Sequence, residues 1–175
     1  MTLATELSKY SALEMLRDGR KIEIRAIKPE DQDKVLKGIS RTSDDSLYLR
    51  FFTLKRSFSE SEIDNFLNVD FVKEVGLVVV LEEADRPIIA GGRYIVFTRG
   101  IGELLFVVED AYQHQGIGSA LMRHILAIAR KAGLGKLHGE MLPGNEPALK
   151  MFERTGLVVS TTRDKWKVEF TLGLR

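Results

Sequence analysis

Between residues 74 and 108 the chain passes through three apolar stretches, EVGLVVVLEE, PIIAGGRYIVF and ELLFVV. The first two flank a turn around Asp85-Arg86, which predicts a hairpin. The third, from Glu103 to Val108, is almost continuously apolar, as expected of a central strand covered on both faces. The period then changes from strand-like to helical. Ile117, Leu121, Ile125, Ile128, Ala129 and Ala132 fall along one side of a helix, and Gly133 supplies its stop. KLHGEML returns as a strand, NEPALKMFERTG reads as a capped helix ending at Gly156, and KWKVEFTL as a final alternating strand. Strand–helix–strand over residues 103–142 implies a right-handed crossover and a parallel pair, while the hairpins are antiparallel. The fold class is therefore mixed α/β, with one sheet flanked by helices.

The N-terminal third is more broken. Leu3, Leu7, Tyr10 and Leu13 lie at helical spacing and predict a packed helix between Thr2 and Leu16. This suggests a helical extension over residues 1–16 and a single domain over 17–175. RDGRKIEIRAIKPED reads as a turn at Asp18-Gly19, a strand from Lys21 to Ile27, and a helix over Glu30 to Ile39 entered through Pro29. In SFSESEIDNFLN, Ser59 and Glu62 form a capping-box pattern that opens another helix.

A chain of 175 residues suits one domain, and its formal net charge of +1 gives no reason to expect nucleic-acid or anionic-membrane binding. With no cysteine there is neither a disulfide nor a thiol nucleophile. His114, His124 and His138 lack metal-ligand spacing, so no metal is expected. No apolar run approaches a membrane span and the first residues do not read as a signal peptide. The expectation is a cytoplasmic, soluble protein whose oligomeric state, monomer or dimer, is open.

The chemistry concentrates in YQHQGIGSALMRHILAIARKAG, Tyr112 to Gly133. Gly116 and Gly118 stand where a helix begins, although each costs about 1 kcal/mol relative to alanine in a helix. Bare N–H groups at a helix N-terminus bind anions. A P-loop would need lysine and then serine or threonine after the second glycine, but Ser119-Ala120 follow. A Rossmann turn is a weaker alternative. Glu140 ends the next strand as it requires, yet Leu121 occupies the third small position, and seven residues separate Val108 from Gly116. A third reading is a pyrophosphate cradle of the kind that holds coenzyme A, and it is the one a family resemblance supports.

Gln113-x-x-Gly116-x-Gly118 after an apolar strand resembles the acyl-CoA motif of the GNAT acetyltransferase superfamily, and Asn145, Ala148, Phe152 and Gly156-Leu157 continue the match. RDGRKIEIRAIKPED, SLYLRFF, FLNVD and GELLFVVEDAYQHQGIGSALM resemble the acetyltransferase domain of bacterial protein lysine acetyltransferases. Those proteins often carry it fused to an acyl-CoA-synthetase-like or nucleotide-binding partner. The resemblance implies the GNAT fold: a twisted, mostly antiparallel sheet with a splayed parallel pair at the coenzyme site. It implies acetyl-CoA as cosubstrate and an acceptor that is a protein lysine, with acyl-CoA synthetases among the candidate targets. A small amine, an N-terminus, or a non-catalytic acetyl-CoA sensor are the alternatives.

For the site, the edge at Phe106, Val107 and Val108 would pair with the pantetheine amides, and an N–H near Val107 or Val108 would hold the thioester oxygen. Amides of Gln113, His114, Gln115, Gly116, Ile117, Gly118 and Ser119 would hold the pyrophosphate, and Asn145, itself a natural N-cap, would anchor the pantetheine arm. Phe152 falls where many relatives have a tyrosine that protonates the departing thiolate, so that role is missing. Glu103 occupies the place of the general base. A base is needed, because at pH 7 only about 1 lysine in 2,500 is neutral, a penalty of roughly 4.6 kcal/mol. Asp44, Asp45, Glu60, Glu62, Asp64 and Asp70 form a candidate acidic rim for a basic substrate, and Arg50 reads as structural.

Overall fold

The structure, a computed structural model, describes residues 1–44, 46 and 58–175. Among these, eight strands form one sheet in the order β1-β2-β3-β4-β5-β6-β8-β7. Strand β1 is Ser11–Met15, β2 Lys21–Ala26, β3 Glu74–Leu81 and β4 Ile88–Thr98. Strand β5 is Ile101–Val108, β6 Lys136–Met141, β7 Val158–Arg163 and β8 Val168–Gly173. Every neighbouring pair is antiparallel except β5 with β6, which the crossover makes parallel. The helices are α1 (Leu3–Ser8), α2 (Gln32–Ser40), α3 (Glu60–Leu67), α4 (Ile117–Lys131) and α5 (Glu146–Glu153).

The helix expected over Thr2–Leu16 stops at Ser8, and residues 11–15 are an edge strand instead. Leu7 is buried as the helical pattern requires, but Leu13 is 73% exposed. Its i+3 spacing from Tyr10 is coincidental. The hairpin partner β2 offers Ser11–Met15 a full ladder, and that tertiary pairing overrides the local period. Strand β7 was not visible in the pattern. It is an outer strand with mostly exposed residues, so it lacks an apolar face to announce it.

Helix α4 covers one face of the sheet with Ile117, Leu121, Ile125 and Ile128, all buried. The approach is close at Gly92, where a Cβ would stand 2.6 Å from Ile125 Cδ1 and 3.3 Å from Leu121 Cδ2, so a side chain there would force these side chains to shift. On the opposite face Ile27, Leu67, Val78, Val80 and Ile88 form a second apolar cluster, with Val35 of α2 and Ile63 of α3 packed against it. The Ser59–Glu62 capping box at the start of α3 is present, Ser59 N–H donating to Glu62 Oε2 at 2.8 Å.

Candidate active site

Strand β5 has two different edges. Along β4 it is paired from Val108 to Ile101. Along β6 it pairs only at Ile101–Lys136, Gly102–Leu137 and Glu103–His138, and beyond that the strands part. The expectation that β5 is covered on both faces holds for Leu104 but fails for residues 105–108, which are half-buried. The direction of the backbone groups follows from the ladder. Glu109 N–H donates to Ile89 carbonyl at 2.9 Å, so by antiparallel alternation Val107 points its N–H toward Gly91. The N–H groups of Phe106 and Val108 therefore face the parted side. Of the two oxyanion donors considered from sequence, Val107 is spent in the sheet, and Val108 is joined by Phe106.

The parted edge leads into the glycine turn. Gly116 adopts φ 86°, the left-handed conformation that favours glycine, and caps α4 without a side chain. The first bond of α4 runs from Ala120 N–H to Gly116 carbonyl at 3.0 Å. The N–H groups of Ile117, Gly118 and Ser119 precede it and have no acceptor inside the helix. Gly118 is different from Gly116. A Cβ on it would meet Met151 Sδ at 3.5 Å and Val108 Cγ2 at 3.6 Å, ordinary contacts, so the fold does not require glycine there. With Met151 and Val108, Gly118 lines the open space beside the helix end. That space is a cleft of about 1510 Å³.

The cleft gathers Phe106, Val107, Val108, Gln113, His114, Gln115, Gly116, Gly118, Ser119 and Asn145 along its wall. Gln113 Nε2 donates to Val108 carbonyl at 3.0 Å and to Ser46 Oγ at 3.1 Å, tying the turn to the strand end. Gln115 accepts from Arg20 and donates to Ala111 carbonyl at 2.9 Å. Asn145 caps α5, its Oδ1 accepting from Ala148 N–H at 3.4 Å. The Ile117 side chain is in the core, which leaves only its backbone N–H for the cleft. Phe152 also lines the cleft, although its side chain is fully buried, with Phe170 4.6 Å and Phe106 6.0 Å away between ring centroids. Arg17, Arg123, Lys150 and Arg154 also border the cleft and were not anticipated. Arg17 follows a segment read as helix, and the others come together only in the fold, Arg123 from α4 and Lys150 and Arg154 from α5 and its end.

Glu103 is on the other face of β5. Its register neighbours are Ile95 on β4 and His138 on β6, and His138 Nδ1 lies 3.3 Å from Thr171 Oγ1. It is half-buried and not part of the cleft wall. The acidic rim is only partly a rim. Asp70 Oδ1 accepts from the N–H groups of Val72, Lys73 and Glu74; burial pushes its pKa up, but these bonds outweigh it and hold the carboxyl below the usual range. Glu62 serves the capping box. Asp45 and Arg50 lie outside the described residues.

The sequence model of the acetyltransferase (GNAT) family matches residues 45–157. The chain is 28% identical over 145 residues to Acetyltransferase Pat of Mycolicibacterium smegmatis, covering 82% of this chain and 43% of that protein. It thus spans less than half the length of that relative. It is 27% identical over 128 residues to Acetyltransferase PA5475 of Pseudomonas aeruginosa, covering 72% of this chain and 69% of the other. Among solved structures, the GNAT domain of S. lividans PAT superposes with a TM-score of 0.82 at 30% identity, over 93% of this chain and 96% of that one. Among the described residues no helix is long and apolar enough to cross a membrane.

Proposed function

Since the chain belongs to the acetyltransferase (GNAT) family, we propose that it moves an acetyl group from acetyl-CoA to the side-chain amine of a protein lysine. The observation that carries this reading is the parted β5–β6 edge running into the free N–H groups of α4. An extended, amide-bearing arm that ends in a pyrophosphate fits such an edge and such a helix end. Gly118, which lines the cleft, leaves the backbone there bare for the same group.

In this reading acetyl-CoA supplies the activated acetyl thioester. The N–H groups of Phe106 and Val108 hold the thioester oxygen and the pantetheine amides. The N–H groups of Ile117, Gly118 and Ser119, with the turn from Gln113 to Gln115, hold the pyrophosphate. Asn145 keeps its side-chain NH₂ for the pantetheine arm while its oxygen caps α5. Glu103 takes the proton from the acceptor ammonium, directly or through a water. Phe152 has no proton to give, so the thiolate leaves as the anion or is protonated by water. The choice of a lysine acceptor rests on the resemblance of the motif segments to protein lysine acetyltransferases. The reading also places the enzyme in the cytoplasm, which suits a chain without cysteine.

The test is incubation with labelled acetyl-CoA and a panel of proteins that includes acyl-CoA synthetases, followed by mapping of the label. Label on lysine side chains supports the proposal. Label confined to small amines or N-termini moves the acceptor elsewhere, and tight acetyl-CoA binding with no label on any amine makes the chain a sensor.

A further inference from the structure

The cleft carries more positive charge than its own acids neutralise. Of the acids on its wall, Glu14 pairs with Arg123, Asp18 with Arg20 and Glu140 with Lys167. Arg130 is turned to the Leu174 carbonyl at 3.0 Å. That leaves Glu146 against Arg17, Lys150 and Arg154, cations with no ion pair or side-chain hydrogen bond among the described residues. Lys150 and Arg154 belong together. Arg154 N–H donates to Lys150 carbonyl at 3.1 Å, so the two exposed side chains rise from one face of α5 and its end, a single turn apart. Met151 beside them sets α5 against the first turn of α4, its Sδ 3.5 Å from the Cβ position of Gly118.

The N–H groups of α4 suit a pyrophosphate, but coenzyme A carries a further phosphate on the 3′-oxygen of its ribose. A phosphate monoester holds about two negative charges at pH 7 and is best met by cationic donors. We infer that Lys150 and Arg154 form the seat of this 3′-phosphate and make the protein select acetyl-CoA over its dephospho form. The inference rests on the acetyl-CoA reading given above and adds what reads the nucleotide end. Pyrophosphate and 3′-phosphate hang on one ribose, so the seat of the second must adjoin the first, and α5 adjoins it through Met151. Arg17 lies apart from that pair, in the β1–β2 turn that Arg20 ties to Gln115, and offers a single charge. Two cations a turn apart grip a dianion from both sides. The C-terminal end of α5 also favours positive charge, but that benefit is the same whichever nucleotide is bound.

Calorimetry with acetyl-CoA and acetyl-dephospho-CoA, which differ only in that phosphate, tests the assignment. The wild-type protein is expected to bind acetyl-CoA about 10-fold more tightly at low salt, and the preference should shrink as salt screens these exposed cations. The double variant Lys150→Gln with Arg154→Gln should lose the preference through weaker acetyl-CoA binding, its affinity for the dephospho form nearly unchanged. Lys150→Arg with Arg154→Lys keeps both charges and should keep most of the preference. Equal binding of the two ligands to the wild-type protein overturns the inference and leaves the acetyl-CoA reading standing. A preference that survives in the double glutamine variant overturns it as well, and its loss in Arg17→Gln instead would move the seat to the β1–β2 turn. If the wild-type protein binds neither ligand, the acetyl-CoA reading itself falls, and the inference with it.

Discussion

The two edges of β5 use the same strand for opposite purposes. On the β4 edge, partner positions continue from Ile101 to Val108, and the only irregularity falls at Val96–Thr98, at the far end. On the β6 edge the ladder ends after three pairs. The closing point is marked by Gly139, where a Cβ would stand 2.9 Å from Leu104 carbonyl and 2.4 Å from the Phe170 ring. Strands packed that closely at one end and separated at the other form a wedge. Backbone groups that would otherwise satisfy a neighbouring strand are left without one, and in the proposed function they receive the ligand, while the β4 edge and α4 hold β5 in place. A sheet can thus carry an extended binding site without a loop of its own.

The comparison breaks most completely at the mouth of the wedge. Gly118→Asp is expected to abolish acetyl-CoA binding, since a side chain and a like charge occupy the pyrophosphate position. The free protein should not suffer, because an acidic residue in the first turn of α4 favours the helix. Gly118→Ala sharpens the point: the fold has room for the Cβ, so thermal stability should be equal or higher while affinity falls. Calorimetry of both variants against acetyl-CoA checks this, and near-native affinity in a folded Gly118→Asp removes the cradle from the site.

Next in size is the face of β5 that carries Glu103. Glu103→Gln keeps shape and hydrogen bonding but accepts no proton. The expected result is near-native acetyl-CoA affinity with kcat lower by roughly 10²–10⁴, partly recovered as pH rises and more of the amine is neutral. A pH–rate profile of wild type and variant measures both effects. Equal loss of binding and rate would make Glu103 structural.

The wedge itself was partly legible in the residues. The strand, the helix and the two glycines between them follow from hydrophobic period and helix-start chemistry, and so does the parallel pairing. What the pattern does not encode is which edge of β5 is paired at each position. Val107 and Val108 look equivalent in a run of apolar residues, and only the Glu109–Ile89 bond separates them. Glu109 is a similar case. In sequence it is one acid before Asp110; its burial and its unpartnered oxygen come from α2 folding over the strand end. The Ser11–Met15 strand was lost because a short edge strand takes its conformation from its neighbour, and β7 for the same reason.

Away from the wedge, on β2, the Arg25 guanidinium grips Asp31 through both nitrogens at 2.8 and 2.7 Å, and Lys28 N–H adds a third bond at 2.8 Å. Burial pushes the Asp31 pKa up, but Arg25 and the Lys28 bond outweigh it and hold the carboxyl below its usual value. Stability from this group is therefore fully present above the unfolded-state pKa, near 3.9, and is lost as pH falls through the lower folded-state value. Asp31→Asn should cost about 2–3 kcal/mol at neutral pH, and the gap to wild type should narrow on acidification. Denaturant melts at pH 7 and pH 3 measure this, and acetyl-CoA affinity of the folded variant should be unchanged.

The smallest effect is expected inside the closed seam. Tyr94, opposite Leu104, is 1% exposed, and its hydroxyl is buried without a hydrogen-bond partner. Burial pushes its pKa up to about 12. Tyr94→Phe removes a polar atom that nothing satisfies, so stability at pH 7 should stay within about 1 kcal/mol of wild type or rise slightly. The difference should grow in base. A phenol with a raised folded-state pKa contributes stability that is complete below the unfolded value, near 10, and lost as pH rises through the folded one. Wild type should accordingly weaken between pH 10 and about 12 more steeply than Tyr94→Phe. Because Tyr94 is on β4, with its side chain in the core and not on the cleft wall, acetyl transfer at pH 7 should be the same in both proteins. A marked loss of turnover in a fully folded Tyr94→Phe would mean that the two edges of β5 do not divide the work of folding and binding between them.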